Sequence, residues 1–387
     1  MKLFPFQRNS ATIYSLVDVG LETVKAGVAQ FSDQGTIELV GHGIAQSHQR
    51  DLTGGRAEAE ALVEAVDEAL TQAEDFSESV VGYKIVPDDV LVALPARSTV
   101  GQLFIIELKR ANPQTPITAK ELKQLRGKAK SLAQKNLAQL ALEEGQWQTL
   151  PLAESGLELD GQPVIDGIGR TGQIMAFKLW GMVVQPQLLR AVDMLTDKLS
   201  LNSVQTIPSV QALAALLRRQ EAIILDVGAS GTTVVLIQDS ILQASHWLPF
   251  GGNFFNRAIL KTIDVKADMV ESLKRSLSAG ELNQKERTWL NSHLKSPRQR
   301  WGEAILEILL DLSPDHALPR QLYLTGGSSR LAGLDSWLQT KQTTFNGAPE
   351  ISRLSGQGIS TLKIRVTDLD SQLFATILGL ALELRFH

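Results

Sequence analysis

The chain has 387 residues, 43% of them apolar and 21% charged, enough apolar mass for about two to three compact units. Its 38 basic residues stand against 42 acidic ones, a formal charge of −4, which excludes a globally basic nucleic-acid coat, so no nucleic acid is expected as a partner. The absence of cysteine excludes disulfides, thiolate nucleophiles and Cys-ligated zinc, and fits a reducing compartment.

The first residues, MKLFPFQRNS, lack the continuous apolar stretch of a signal peptide. Phe4 and Phe6 beside Lys2 and Arg8 are either an ordinary packed or disordered terminus or a contact for a membrane or partner. From Thr12 to Gln30 an alternating, β-branched strand turns at Gly20 and resumes as a second strand. A polar stretch with Gly54 and Gly55 precedes a helix from about Arg56 to Glu74, and a strand follows at Val90–Leu94. From Arg97 to Val184 the pattern predicts a strand, a Lys-rich helix opened by Thr118 and Glu121 as a capping box, and strands around 157–159 and 173–184. Helices are expected at Leu188–Leu199 and Val210–Arg219.

The second half opens like the first. Ala222–Gln238 is again strand, Asp-x-Gly turn, strand, so the repeat unit is half a molecule and not a solenoid element. Phe250-Gly251-Gly252, a helical region from about Asn253 to Leu312, the strand and turn Leu322–Arg330, a strand near Leu362–Val366 and an apolar helix at Leu373–Leu384 complete the chain. That last helix is shorter than the roughly 20 residues a membrane span needs. A soluble cytoplasmic protein is expected. Six histidines, at 42, 48, 246, 293, 316 and 387, show no close ligand spacing, so no dedicated metal cage is expected.

Hairpins followed by helices in both halves predict an α/β protein with two similar lobes, its ligand in the crevice outside the strand ends. Facing Asp-x-Gly turns suit a polyphosphate, because backbone amides in tight turns point at anionic oxygens and glycine permits close approach. Asp18 and Asp226 would then hold Mg2+ through its waters, and Lys25 would reach a phosphate as a point charge. Gly326-Gly327-Ser328, between an apolar strand and a helix, lets a base or phosphate lie against bare backbone, with Arg330 just beyond. Glu271, Lys274 and Arg275 fall within one helical turn. They are either a solvated charged face or a trio that bonds ribose hydroxyls and stacks on a purine.

In this order the features resemble the actin/Hsp70/FtsA superfamily. Asp18-Val19-Gly20 through Lys25 resembles its first phosphate motif, Asp226-Val227-Gly228 through Ser230-Gly231-Thr232 its second, Thr325–Leu331 its adenosine motif, and Glu271-x-x-Lys274-Arg275 the Hsp70-like adenosine-contacting helix. Asp160-Gly161-Gln162 followed by Asp166-Gly167-Ile168-Gly169 resembles an FtsA segment, and 97–185 its SHS2-type insert. Asp226–Ser230 and Phe250-Gly251-Gly252 are closer to PilM, the type IV pilus relative. The resemblance implies a two-lobed actin-like ATPase fold of duplicated ribonuclease-H-like lobes with an inserted SHS2-type α+β domain. The implied boundaries are 1–94, 186–219 and 367–387 for the first lobe, 95–185 for the insert, 220–256 and 318–366 for the second lobe, and 257–317 for a tip subdomain.

The implied activity is ATP and Mg2+ binding by a cytoplasmic scaffold at the inner face of the cell membrane. On the FtsA-type reading it recruits an FtsZ-like cell-division protein and forms filaments; on the PilM-like reading it grips the tail of a pilus membrane protein. A small-molecule kinase of the same superfamily is a third reading. Ile207 stands where many relatives carry the acid that activates water, and Gln211 falls a turn too late to replace it, so slow hydrolysis at most is expected and no catalytic residue is assigned. Leu21-Glu22 in the first turn crowd or repel a phosphate unless Glu22 points outward. The tail ends at His387 without the amphipathic helix of FtsA, so membrane contact is expected to be indirect or through the N-terminus. The run Lys285–Arg300 with Trp289 and Trp301 is either a solvated face or a docking site for an acidic peptide.

Overall fold

The structure is a computed structural model and describes residues 12–31, 36–47, 56–217, 220–239, 241–262, 265–313, 318–341, 345, 347–356 and 359–384. The N-terminal segment around Phe4 and Phe6, Gly54-Gly55, His48, His316, Arg218-Arg219 and the last three residues lie outside that set. In chain order the elements are β1 (Thr12–Val19), β2 (Thr23–Phe31), β3 (Ile37–Gln46), α1 (Arg56–Val81), β4 (Asp89–Leu94), β5 (Thr99–Lys109), α2 (Ala119–Glu143), β6 (Gln148–Thr149), β7 (Ala153–Leu159), β8 (Gln162–Pro163), β9 (Ile174–Val184), α3 (Pro186–Lys198), β10 (Ser203–Pro208) and α4 (Ser209–Ala215). They continue with β11 (Ala222–Val227), β12 (Thr232–Gln238), β13 (Ile241–Leu248), α5 (Gly252–Leu260), α6 (Ala267–Ala279), α7 (Gln284–Leu312), β14 (Gln321–Thr325), α8 (Leu334–Gln339), β15 (Glu350–Arg353), β16 (Leu362–Ile364) and α9 (Ala375–Glu383).

Contacts divide the chain into two compact units, one of residues 1–95, 190–216 and 355–387, the other of 96–189 and 217–354. The first is built on a sheet of order β10-β4-β1-β2-β3-β16. Its antiparallel meander β1-β2-β3 is flanked by β4, parallel to β1, and β10, parallel to β4. Leu16, Val17, Val24, Val28, Leu39 and Val92 are completely buried in it. α9 is buried all round, as its apolar run requires. Among the described residues no helix is long and apolar enough to cross a membrane.

The second unit repeats the meander as β11-β12-β13, with β14 parallel to β11 and β15 parallel to β14. The internal repeat read from the two Asp-x-Gly turns is therefore a repeat of strand topology. One core joins Ile223, Leu225, Val234 and Leu236 of this sheet to Phe255 of α5, Val270 of α6 and Leu294, Trp301 and Ile305 of α7.

Two boundaries differ from the sequence reading. The segment 96–189 groups with the second unit, because β5 hydrogen-bonds to β13 through Ala244 and Gln102 and so extends that sheet with β9, β7 and β8. A half-paired edge strand gains ladder bonds by accepting a neighbour. The strand near Leu362, expected in the second lobe, pairs with β3 of the first unit instead. The backbone bond from Ile37 N to Thr361 O, at 3.0 Å, and ion pairs from Lys363 and Arg365 to Glu38, both at 3.2 Å, hold it there.

Candidate functional site

The first Asp-x-Gly turn lies between β1 and β2, where Asp18 stands opposite Lys25 in the ladder. Adjacent cross-strand side chains of opposite sign meet directly: Lys25 Nζ lies 2.8 Å from Asp18 Oδ2, with about an eighth of each side chain exposed. Lys25, expected to reach a phosphate, is thus engaged with the carboxylate expected to hold magnesium. Gly20 is required by the turn, since a Cβ there would lie 2.5 Å from the carbonyl oxygen of Thr23. Glu22 is exposed and Leu21 is half-buried.

At the end of β10, Ile207 is buried and stands opposite Ala93, with Pro208 as the N-cap of α4. The position where the resemblance implies an acid is thus apolar, and Gln211 Nε2 donates to the buried Glu383 Oε2 at 3.0 Å.

In the second unit the sequence motifs converge. The turn between β11 and β12 closes with Gly228 N bonded to Gly231 O at 2.9 Å. Among the described residues the amides of Ala229, Ser230 and Gly231 donate to no backbone acceptor. Successive turn amides of this kind form an anion-binding concavity. The carbonyls of the turn are held from outside. Gly252 N donates to Gly228 O at 2.9 Å and Asn253 N to Ala229 O at 2.8 Å, so the first amides of α5 clasp the turn and Gly252 does not present its amide to a ligand. Gly251 is needed for that contact, because a Cβ on it would sit 2.5 Å from Gly228 O and from Gly231 N.

The adenosine-type segment reaches the same place. Gly326 follows β14 with a left-handed φ of +83°, and a Cβ on it would run into the Asp226 carboxylate and lie 2.6 Å from Val227 O. Half-buried Asp226 is thereby held against bare backbone. A Cβ on Gly252 would strike the Ser328 hydroxyl. Gly327 and Arg330 are exposed, and the buried Ser329 donates its hydroxyl to Gly326 O at 2.7 Å.

The α6 trio separates. Lys274 is buried and bridges Glu271 Oε2, at 2.8 Å, to Gly252 O, at 3.3 Å. Arg275 is 80% exposed on its side chain and stands 3.7 Å from Glu271. Burial works to raise the Glu271 carboxyl, but hydrogen bonds from Lys274 and Asn256 and the charges of Lys274 and Arg275 hold it below the ordinary carboxylate value. Lys274 therefore ties α6 to α5, and the Ser328 hydroxyl lies against Gly252 at the start of α5. Asn256, one turn into α5, was not singled out in the sequence; its Nδ2 donates to Glu271 Oε2 at 3.2 Å. An asparagine at this spacing carries no signal until α5 and α6 are packed.

Thr232, expected at the nucleotide, is completely buried and works behind the turn. Its hydroxyl donates to Phe250 O at 2.6 Å and accepts from Trp301 Nε1 at 3.0 Å. Trp301 is core, so it is no aromatic anchor for a docking peptide, and Arg298 of the same basic run is buried too. Trp289, Lys285, Arg287, Lys295 and Arg300 keep exposed positions on α7.

Among the described residues no three His, Cys, Asp or Glu side chains are grouped to hold a metal ion. Within the second unit the half-buried Asp226 supplies a single carboxylate, a donor that suits a largely hydrated ion.

No protein-family model matches this sequence, and no curated protein matches it. Solved structures do. A PilM–PilN type IV pilus biogenesis complex matches with a TM-score of 0.63 and 17% identity over 96% of this chain and 98% of that one. The nucleotide-free diol dehydratase-reactivating factor matches with a TM-score of 0.55 and 12% identity over 97% of this chain and all of that one. A glycerol dehydratase reactivase matches at 0.51 and 12% over 97% and 100%. At these identities the likeness shows the fold: the chain has the actin-like ATPase fold.

Proposed function

We propose that the protein is an ATP-binding adaptor of the PilM type, working at the cytoplasmic face of a membrane. The observation that carries the nucleotide reading is the convergence of four separated segments. Gly251-Gly252 packs on the 228–231 turn, Gly326 on Asp226 and Ser328 on Gly252, and Lys274 ties Glu271 to Gly252 O. The amides of Ala229, Ser230 and Gly231 donate to no backbone acceptor among the described residues. ATP with Mg2+ is the ligand that best fits amides for phosphate, a carboxylate for a hydrated metal, and a glycine pair with Glu271 and Arg275 for the nucleoside. Magnesium would supply charge neutralisation of the phosphates. The chain's own residues bind and orient, and with Ile207 in place of an acid they activate no water.

Adaptor function is preferred over the FtsA-type reading because the PilM–PilN match spans nearly the whole of both chains. The partner would be a short cytoplasmic tail of a pilus membrane protein. Calorimetry with Mg-ATP should show saturable binding that Asp226→Ala removes, with less than one turnover per minute, on the order expected without a general base. Absence of heat with both ATP and ADP, from folded protein, would refute the nucleotide reading. Binding of the pilus tail peptide supports the adaptor. Co-sedimentation with FtsZ-like filaments and indifference to that peptide would return the assignment to cell division.

A further inference from the structure

We propose that the segment 96–189 carries a docking face for an anionic lipid bilayer, formed by the outer side of α2 and the loop 164–172. This surface is separate from the nucleotide site and its test does not depend on that site.

α2 buries the stripe Leu122, Ala129, Ala133, Leu137 and Ala141 against β5 and β9. Its outward side presents Lys120, Lys123, Lys128, Lys130 and Lys135, all exposed. Lys123 and Lys130, and Lys128 and Lys135, are each two turns apart, so the five cover the solvent side along most of the helix. The carboxylate on this side, Glu121, seven residues before Lys128, is taken up by an ion pair to Arg110. The helix's two acids are engaged elsewhere: Glu121 pairs with buried Arg110 at 2.8 Å, and Glu143, at the far end, accepts from Gln139 at 3.0 Å. A helix side with five lysines against one acid that is already paired is a strong local excess in a chain of net charge −4.

The loop adds the second observation. Ile165 is 100% exposed and Ile168 47% exposed, although isoleucine is ordinarily among the most buried residues. This loop is held in place. Gly169 N donates to Ile117 O at 2.9 Å, Ile117 N to Arg170 O at 2.8 Å, and Gly172 N to Pro113 O at 3.1 Å. Asp166 Oδ1 accepts from Ile168 N at 3.0 Å, and Arg110 Nη1 donates to Gly172 O at 2.9 Å. Ile117 stands three residues before Lys120, so the apolar loop adjoins the first turn of the lysine side, with Arg170 exposed between them.

The occupant follows from this chemistry. Lysines are hydrated point charges that suit a diffuse phosphate surface, whereas recognition of individual carboxylates favours arginine forks. Isoleucines on a protruding loop need a medium that opens around them, which the interfacial layer of a bilayer does.

The test uses the full chain and vesicles of phosphatidylcholine with or without phosphatidylglycerol. Sedimentation with the anionic vesicles only, abolished at about 1 M salt, is expected. Lys120→Gln, Lys123→Gln and Lys130→Gln together should lower partitioning on the order of 100-fold, with an unchanged melting temperature. Since the chain has no cysteine, Ile165→Cys can carry a single environment-sensitive dye, which should report an apolar surrounding only with anionic vesicles. Equal sedimentation with neutral vesicles, or full binding by the triple variant, would overturn the proposal. So would charge-dependent binding with an unchanged dye signal, or tighter binding to polyglutamate or tRNA than to vesicles, since either outcome assigns the lysines to an acidic polymer.

Discussion

The two Asp-x-Gly hairpins have the same ladder and different surroundings. In β1-β2 the aspartate meets a lysine across the hairpin, and the pair is satisfied within one local element. In β11-β12 the residue opposite Asp226 is Thr233, and support comes from far along the chain, from Gly251-Gly252, Lys274 and Gly326. A local ion pair stabilises its own hairpin. A turn clasped by three distant segments is shaped by the whole unit, and that is the arrangement a preorganised ligand site requires.

The sharpest way to break this contrast is Gly326→Ala. The added Cβ meets the Asp226 carboxylate and Val227 O at a left-handed φ, which should cost about 3 kcal/mol of stability and remove ATP binding together. Denaturant unfolding and calorimetry read the two effects, and a variant as stable as the parent would deny the close approach. A double-mutant cycle on Asp18→Asn and Lys25→Met comes next, with a coupling of about 1–2 kcal/mol expected. The matching cycle on Asp226→Asn and Thr233→Val should give less than about 0.5 kcal/mol; equal couplings would erase the distinction. The smallest effect concerns acid. Because the folded Glu271 carboxyl lies below its ordinary value of 4.5, its stabilising contribution is complete above that pH and is lost as the pH falls through the folded value. Melting curves between pH 6 and pH 3 should therefore fall more steeply for the parent than for Glu271→Gln.

Much of the fold was legible. Alternating or continuous apolar runs marked β1, β2, β4, β11, β12 and β14, a 3.6-residue pattern marked α1, the Thr118 and Glu121 start marked α2, and an all-round apolar run marked α9, because these signals are local to each segment. β3, β10, β13 and β15 were passed over. β3 interrupts its apolar residues with Gly41, His42 and Gly43, and β13 reads Gln243-Ala244-Ser245-His246 through its middle. Both strands are defined by the neighbours they pair with. For the candidate site the residue positions were legible and several roles were not. Thr232 and Lys274 fit their motifs yet serve as internal ties, and Trp301 proved to be core.

What the sequence determined by itself was the pair of glycine-bearing turns and the apolar strands that deliver them, since these follow from local chemistry and periodicity. Which carbonyls the first amides of α5 satisfy, which lysine is buried and which arginine is free to solvent, and which sheet edge accepts β5 or β16 were decided only by tertiary structure. Burial and hydrogen-bond satisfaction depend on groups distant in sequence, and their partners exist only once the chain has folded.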